Sequence, residues 1–219
     1  HDSFWLSGVS GHSVSSFYYP PKAETNCNQC HMPRKPVTGG ENFAADLGED
    51  GRWTYLDHQF PSANTAIPWL VRNLLDDPEG AIEAHREFTR DALRLDLFGL
   101  RRGGTIDGEL LAPLGPGAAE LEPGETYLVD LVLRTLTLGH IFTQGTADSN
   151  QIWVDFTVMD GDRVIGRSGG LDERRRVDPW SHFVNAFVID RTGNRVDRRN
   201  AEDIFVPLYD NQIPPGAAD

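Results

Sequence analysis

Apolar residues recur in two rhythms along this chain, and the change falls near residue 96. Ala81, Ala84, Phe88, Ala92 and Leu95 return every three to four positions, the spacing of one helix face. Pro78 and the acidic pair Asp77 and Glu79 suit the start of that helix. Residues 62–75 allow a second short helix ahead of Asp76-Asp77-Pro78. His85, beside Ala84, reads as a surface histidine. Beyond residue 96 the period becomes two. Tyr127, Val129, Leu131 and Leu133 form one alternating run, Ile152, Val154, Phe156 and Val158 a second, and Phe183, Asn185, Phe187 and Ile189 a third. Asp160-Gly161 and Gly193-Asn194 are hairpin signals, and Gly115-Pro116-Gly117 and Glu122-Pro123-Gly124 mark further loops. Seven or eight short strands over about 120 residues predict an antiparallel sandwich of immunoglobulin-like type.

The first 65 residues follow neither rhythm. They hold Pro20, Pro21, Pro33, Pro36 and Pro61, with Gly39-Gly40 and Gly48, and read as irregular with short helical pieces. Such a segment has difficulty burying a core alone. It is rich in aromatics, however: Phe4, Trp5, Phe17, Tyr18, Tyr19, Phe43, Trp53 and Phe60. These would serve equally as interface packing or as the wall of a large apolar group. The class predicted is α+β. Residues 1–75 form a mostly irregular segment, 76–95 a connecting helix, with one or two connecting helices in all, and 96–219 the sandwich.

Cys27-Asn28-Gln29-Cys30-His31 supplies the chemistry. These are the only two cysteines of 219 residues, and the string is a CxxCH motif. Two thiols three positions apart can add across the two vinyl groups of one haem, and the next histidine can then bind the iron. Three other readings compete. A redox dithiol or disulfide needs a βαβ setting, whereas this motif lies between Pro20-Pro21 and Pro33. A zinc site needs a second close pair, and the sequence has neither another CxxC nor HxxxH. The third reading is coincidence in a cysteine-poor chain. Covalent haem c through Cys27 and Cys30, with His31 as proximal ligand, is the expectation.

The sixth iron position takes His, Met or an exchangeable ligand. Met32 adjoins His31 and cannot readily reach the far face, and Met159 lies at a hairpin turn. His58, in Asp57-His58-Gln59-Phe60, sits inside the aromatic segment and ranks first. His12, with small neighbours in Ser10-Gly11-His12-Ser13, ranks second. His140, in Gly139-His140-Ile141-Phe142, ranks third, ahead of His182 and His1.

Composition narrows the partners. Twenty basic against 33 acidic side chains give a net charge of −13. That argues against nucleic acid or an anionic membrane and allows steering of a basic redox partner. Arg174-Arg175-Arg176 is interspersed with Asp172, Glu173 and Asp178 and reads as a solvated loop. No apolar run approaches the roughly 18 residues of a membrane span. No signal peptide is visible, although haem c is attached outside the cytoplasm. A periplasmic or extracellular chain that starts after processing, or a piece of a longer one, is therefore expected.

At these residues the chain resembles bacterial multihaem c-type cytochromes. Similarity lies in Ser10-Gly11-His12-Ser13, Phe17-Tyr18-Tyr19-Pro20-Pro21-Lys22-Ala23, Cys27 to Pro33, and Asp57-His58-Gln59-Phe60. Gly139-His140-Ile141-Phe142-Thr143-Gln144-Gly145, Trp153, Ser168-Gly169-Gly170 and Ile213-Pro214-Pro215-Gly216 are similar to the β-sandwich module that ends many of them. Thr143-Gln144 stands where that module has Pro-Thr. The resemblance implies bis-histidine ligation, extracytoplasmic electron transfer and several haems, against one CxxCH here. It further implies a fragment of a multihaem protein. His1, His12 or His140 could then ligate a haem borne elsewhere, and the partners would be other redox proteins or haem-bearing subunits in a homo- or hetero-oligomer. Two other classes stand beside electron transfer. One is an oxidoreductase acting on nitrite or hydroxylamine through an open iron position; the other is a sugar- or protein-binding sandwich with an incidental haem.

Overall fold

The structure, a computed structural model, describes residues 2–13, 23–38, 45–63, 65–115, 120–143, 150–197 and 200–219. His1, Phe17, Tyr18, Tyr19, Pro20, Pro21, Lys22, Gly39, Gly40, Phe43, Pro116, Gly117, Gln144 and Gly145 lie outside these residues. The chain opens on a one-turn helix α1 (Asp2–Trp5) and a 3-10 turn (Gly8–Ser10). Serine hydroxyls close this turn: Ser7 Oγ donates to the Phe4 carbonyl at 2.6 Å and Ser10 Oγ to the Trp5 carbonyl at 3.0 Å. The one-turn helix α2 (Asn28–His31) carries the CxxCH string.

After α2 the chain departs from the irregular course expected of it. Strands β1 (Arg34–Pro36), β2 (Asp46–Leu47) and β3 (Trp53–Leu56) make a three-stranded antiparallel sheet in the order β1-β3-β2. The residues of β1 and β2 are all exposed, so the sheet has no two-residue alternation by which to be read.

Two helices follow, α3 (Ala66–Leu70) and α4 (Pro78–Thr89). Asp77 caps α4 by accepting the Gly80 amide at 2.9 Å, with Pro78 in the first turn. The helix stops short of the predicted Ala92 and Leu95. Asp91 adopts φ 58°, a left-handed conformation that Asp tolerates and that reverses the chain. Leu95 is instead in β4 (Leu93–Arg102), paired with Leu133.

The remaining strands are β5 (Leu110–Leu111), β6 (Tyr127–Thr135), β7 (Phe156–Asp160), β8 (Arg163–Ser168), β9 (Ala186–Ile189), β10 (Arg195–Val196) and β11 (Val206–Asp210). They form sheets ordered β5-β4-β6, β7-β8 and β10-β9-β11, and every pairing is antiparallel. The hairpin signals act as expected: Gly161 at φ 57° turns β7 into β8, and Gly193 at φ 86° turns β9 toward β10. Ile152 and Val154 do not extend β7. They pair locally with Val184 and His182 around a single Trp153–Phe183 bridge. The class is α+β, with few helices and several small antiparallel sheets.

Buried apolar residues gather in the strand-rich half, where Val184, Ala186, Val188, Val196 and Ile213 are all less than one-tenth exposed. Among the described residues no helix is long and apolar enough to cross a membrane.

Candidate functional site

Cys27 has helical dihedrals (φ −61°, ψ −30°), so the CxxCH string forms one continuous turn, and the His31 amide bonds the Cys27 carbonyl at 3.0 Å. Spacing of three on a helix places both thiols on one face, and His31 follows one turn after Cys27. The turn is assembled from polar side chains that stand in for a longer helix. Gln29 Oε1 accepts from Thr25 Oγ1 at 2.7 Å and the Asn26 amide at 3.1 Å, while Asn26 Oδ1 accepts the Asn28 amide at 3.0 Å. Met32, buried directly after His31, anchors the end of the turn.

Both cysteines are free and exposed. Desolvation of the sulfur, the Glu24 carboxylate and neighbouring Cys27 together push the Cys30 thiol above its ordinary range. Among the described residues no three His, Cys, Asp or Glu side chains converge as a zinc centre would require.

His31 is held on three sides. Its Nδ1 lies 3.0 Å from the Pro61 carbonyl oxygen. Because a carbonyl only accepts, Nδ1 carries the proton and Nε2 is left as the basic nitrogen. Phe88 of α4 packs against the ring with centroids 5.2 Å apart, and His140 lies parallel to it within 10° at 6.2 Å.

His140 is fixed in the same manner. Its Nδ1 lies 3.0 Å from the Ile141 carbonyl, which again leaves Nε2 basic. Preceding Gly139 is required by space, since a Cβ there would come within 2.9 Å of Val9 Cγ2 and 3.2 Å of Phe4 Cδ2. Phe142 exchanges backbone hydrogen bonds with buried Ile213 at 2.8 and 2.6 Å. The N-terminal turn therefore seats one side of the His140 loop and the C-terminal Ile213 segment the other.

The other histidines fall elsewhere. His58 is exposed, with its ring 6.3 Å from Phe60. His12 is exposed and edge-on to Trp5 at 4.5 Å. His182 Nε2 is taken by Asp219 at 2.8 Å. His85 is not at the surface: it is 7% exposed, with Nδ1 3.0 Å from the Ser62 amide nitrogen. Met159 is half exposed on β7. Trp153, one of the residues behind the sequence resemblance, donates from Nε1 to the carbonyl of another, Gly169, at 2.9 Å.

These residues fit a haem. Two imidazoles sharing one metal ion need ring centres about 6 Å apart, with about 2 Å for each metal–nitrogen bond and about 1 Å from each nitrogen to its ring centre. The 6.2 Å between the ring centres of His31 and His140 matches that spacing, and each ring has Nδ1 beside a carbonyl oxygen. His140 lies 109 positions from His31 in the sequence, and the structure sets the two rings 6.2 Å apart. Comparison with models of known families, with curated proteins and with solved structures finds no match to this chain.

Proposed function

We propose that this chain is a c-type cytochrome that transfers single electrons outside the cytoplasm. Cys27 and Cys30 would hold one haem by thioether bonds, and His31 and His140 would be the two histidines that bind its iron. The observation that carries this reading is the parallel pair of imidazoles 6.2 Å apart, one of them inside CxxCH. When bound, the haem supplies a one-electron couple whose potential is low with two histidine ligands. The chain's own residues set the conditions. Cys27 and Cys30 fix the macrocycle to the exposed face of α2. The Pro61 carbonyl orients His31, strengthens it as a donor and holds its proton on Nδ1. The Gly139–Ile213 surroundings do the same for His140. Two histidines binding the iron would leave no position open for substrate, which argues against an open-site oxidoreductase acting on nitrite or hydroxylamine.

Residues 96–219 are proposed to act as the immunoglobulin-like module of a multihaem cytochrome assembly, contributing His140 to the haem carried on residues 1–75. Support comes from the residues shared with that module and from the hairpins at Gly161 and Gly193. The net charge of −13 favours a basic redox partner or a haem-bearing subunit over nucleic acid.

Mass analysis and an optical spectrum of the reduced protein test the proposal. One covalently added haem and a low-spin spectrum that ignores carbon monoxide are expected. A chain without added mass overturns the haem, and ready carbon monoxide binding overturns the closed site.

A further inference from the structure

His85 belongs to the same site by an indirect route. The Pro61 carbonyl that faces His31 and the Ser62 amide that faces His85 are two ends of one peptide group. Its oxygen is 3.0 Å from His31 Nδ1, and its nitrogen is 3.0 Å from His85 Nδ1. His85 Nδ1 also stands 2.9 Å from the Ser62 carbonyl oxygen. One tautomer cannot both accept at Nδ1 and donate from it. The amide hydrogen, whose direction the backbone fixes, points at the ring nitrogen, and acceptance there, with the proton on Nε2, is the premise of the inference below. Helix α4 thus reaches the proximal ligand twice, through Phe88 on the ring and, one turn earlier, through His85 on the peptide. The same loop is tied to α4 again where Gln59 Nε2 donates to the Ala81 carbonyl at 3.3 Å.

We infer that His85 is a positioning residue for the haem, acting through the Pro61–Ser62 peptide to hold and polarise the oxygen that accepts from His31. The inference rests on the haem reading above. A peptide whose N–H donates to a good acceptor carries more negative charge on its oxygen. That oxygen draws the His31 proton harder, the imidazole becomes a stronger donor, and ferric iron is favoured over ferrous. Removal of the acceptor at residue 85 raises the reduction potential.

Redox titration of the haem-loaded wild type, H85L and H85Q tests this. H85L should stay low-spin while its oxidised-to-reduced ratio at fixed potential falls about threefold, about 30 mV for one electron. H85Q, whose amide oxygen can accept from Ser62, should stay near the wild-type potential. Equal potentials in all three proteins overturn the assignment, as does an H85Q that moves as far as H85L. If H85L fails to take up haem, H85Q must still load and keep the wild-type potential, or the assignment is overturned. A wild type with no covalent haem overturns the haem reading itself, whereas a loaded wild type with an unmoved H85L removes only the role of His85.

Discussion

The two halves of the chain hold themselves together by different means. In the strand-rich half, Ala186, Val188 and Val196 form a buried apolar cluster, with fully buried Val184 beside them in sequence. Among described residues of the first half, the buried apolar side chains are Met32, Pro61, Pro68 and Ile82, while Ser7, Ser10 and His85 are buried polar groups. Its turns are built by side chains bonded to nearby backbone: Ser7 to Phe4, Ser10 to Trp5, Ser13 to Ser7, Asp77 to Gly80. Trp5, Trp53, Phe60 and Trp69 stay at least two-fifths exposed. Local hydrogen bonds of this kind are each worth only about 1 kcal/mol net. The first half can therefore shape the CxxCH turn precisely at low cost, but it depends on a neighbour for stability: the second half, whose His140 ring lies beside that of His31, and the haem proposed between them.

The largest effect should come from removing the attachment. C27A/C30A is expected to lose covalent haem and to become protease-sensitive within residues 23–92 while the β9 region stays protected. Equal sensitivity in both halves would break the comparison. V184A should cost about 2 kcal/mol in chemical denaturation of the full chain, as a cavity in the apolar half, and leave the haem spectrum unchanged. A changed spectrum would mean that the halves are less separate than their packing indicates.

A smaller effect belongs to the Lys35–Asp57 ion pair, 2.6 Å apart, which ties β1 to the loop carrying Pro61. Burial pushes the Asp57 carboxyl up, but hydrogen bonds from the Lys35 ammonium and the Gln59 amide outweigh it and hold the group below its ordinary 3.8. A depressed carboxylate stabilises above its unfolded value and loses that contribution as pH falls through the folded one. D57N should cost about 1 kcal/mol or less at neutral pH, with the difference from wild type starting to shrink near pH 3.8 and vanishing only below the lower folded value. The smallest effect is at Asp190, in the β9–β10 turn. Thr192 Oγ1 and the amides of Asn194 and Thr192 hold its carboxyl down at about 2. Its support for the turn is complete above pH 3.8 and fades as pH falls toward about 2. Amide exchange at Gly193 followed across that range should quicken only at the acid end.

How much of this was legible in the sequence depended on distance along the chain. Gly161, Gly193 and the Asp77-Pro78 start were readable because each acts within four residues, through positive φ or capping. The CxxCH turn was readable for the same reason. The sheet of β1, β2 and β3 was not, because strands of two to four mostly exposed residues carry no alternation. Helix α4 was read too long because Ala92 and Leu95 keep the helical rhythm by coincidence across the reversal at Asp91. His85 read as a surface residue because its neighbours Arg86 and Glu87 are charged, yet its face of α4 meets Ser62, to which the sequence gives no pointer. His58 and His12 lie nearer to Cys27 in the sequence than His140, which only the fold brings beside His31. Phe88 packs on the His31 ring and Gly139 sits against Val9 and Phe4, and between these contacts the two histidine rings lie 6.2 Å apart.

The pairing of His31 with His140 is the central claim, and carbonmonoxy difference spectra of the ferrous proteins test it most directly. H140A should bind carbon monoxide readily, while wild type, H58A and H12A remain six-coordinate and unreactive. An H140A protein that ignores carbon monoxide, beside an H58A or H12A protein that binds it, would contradict the account.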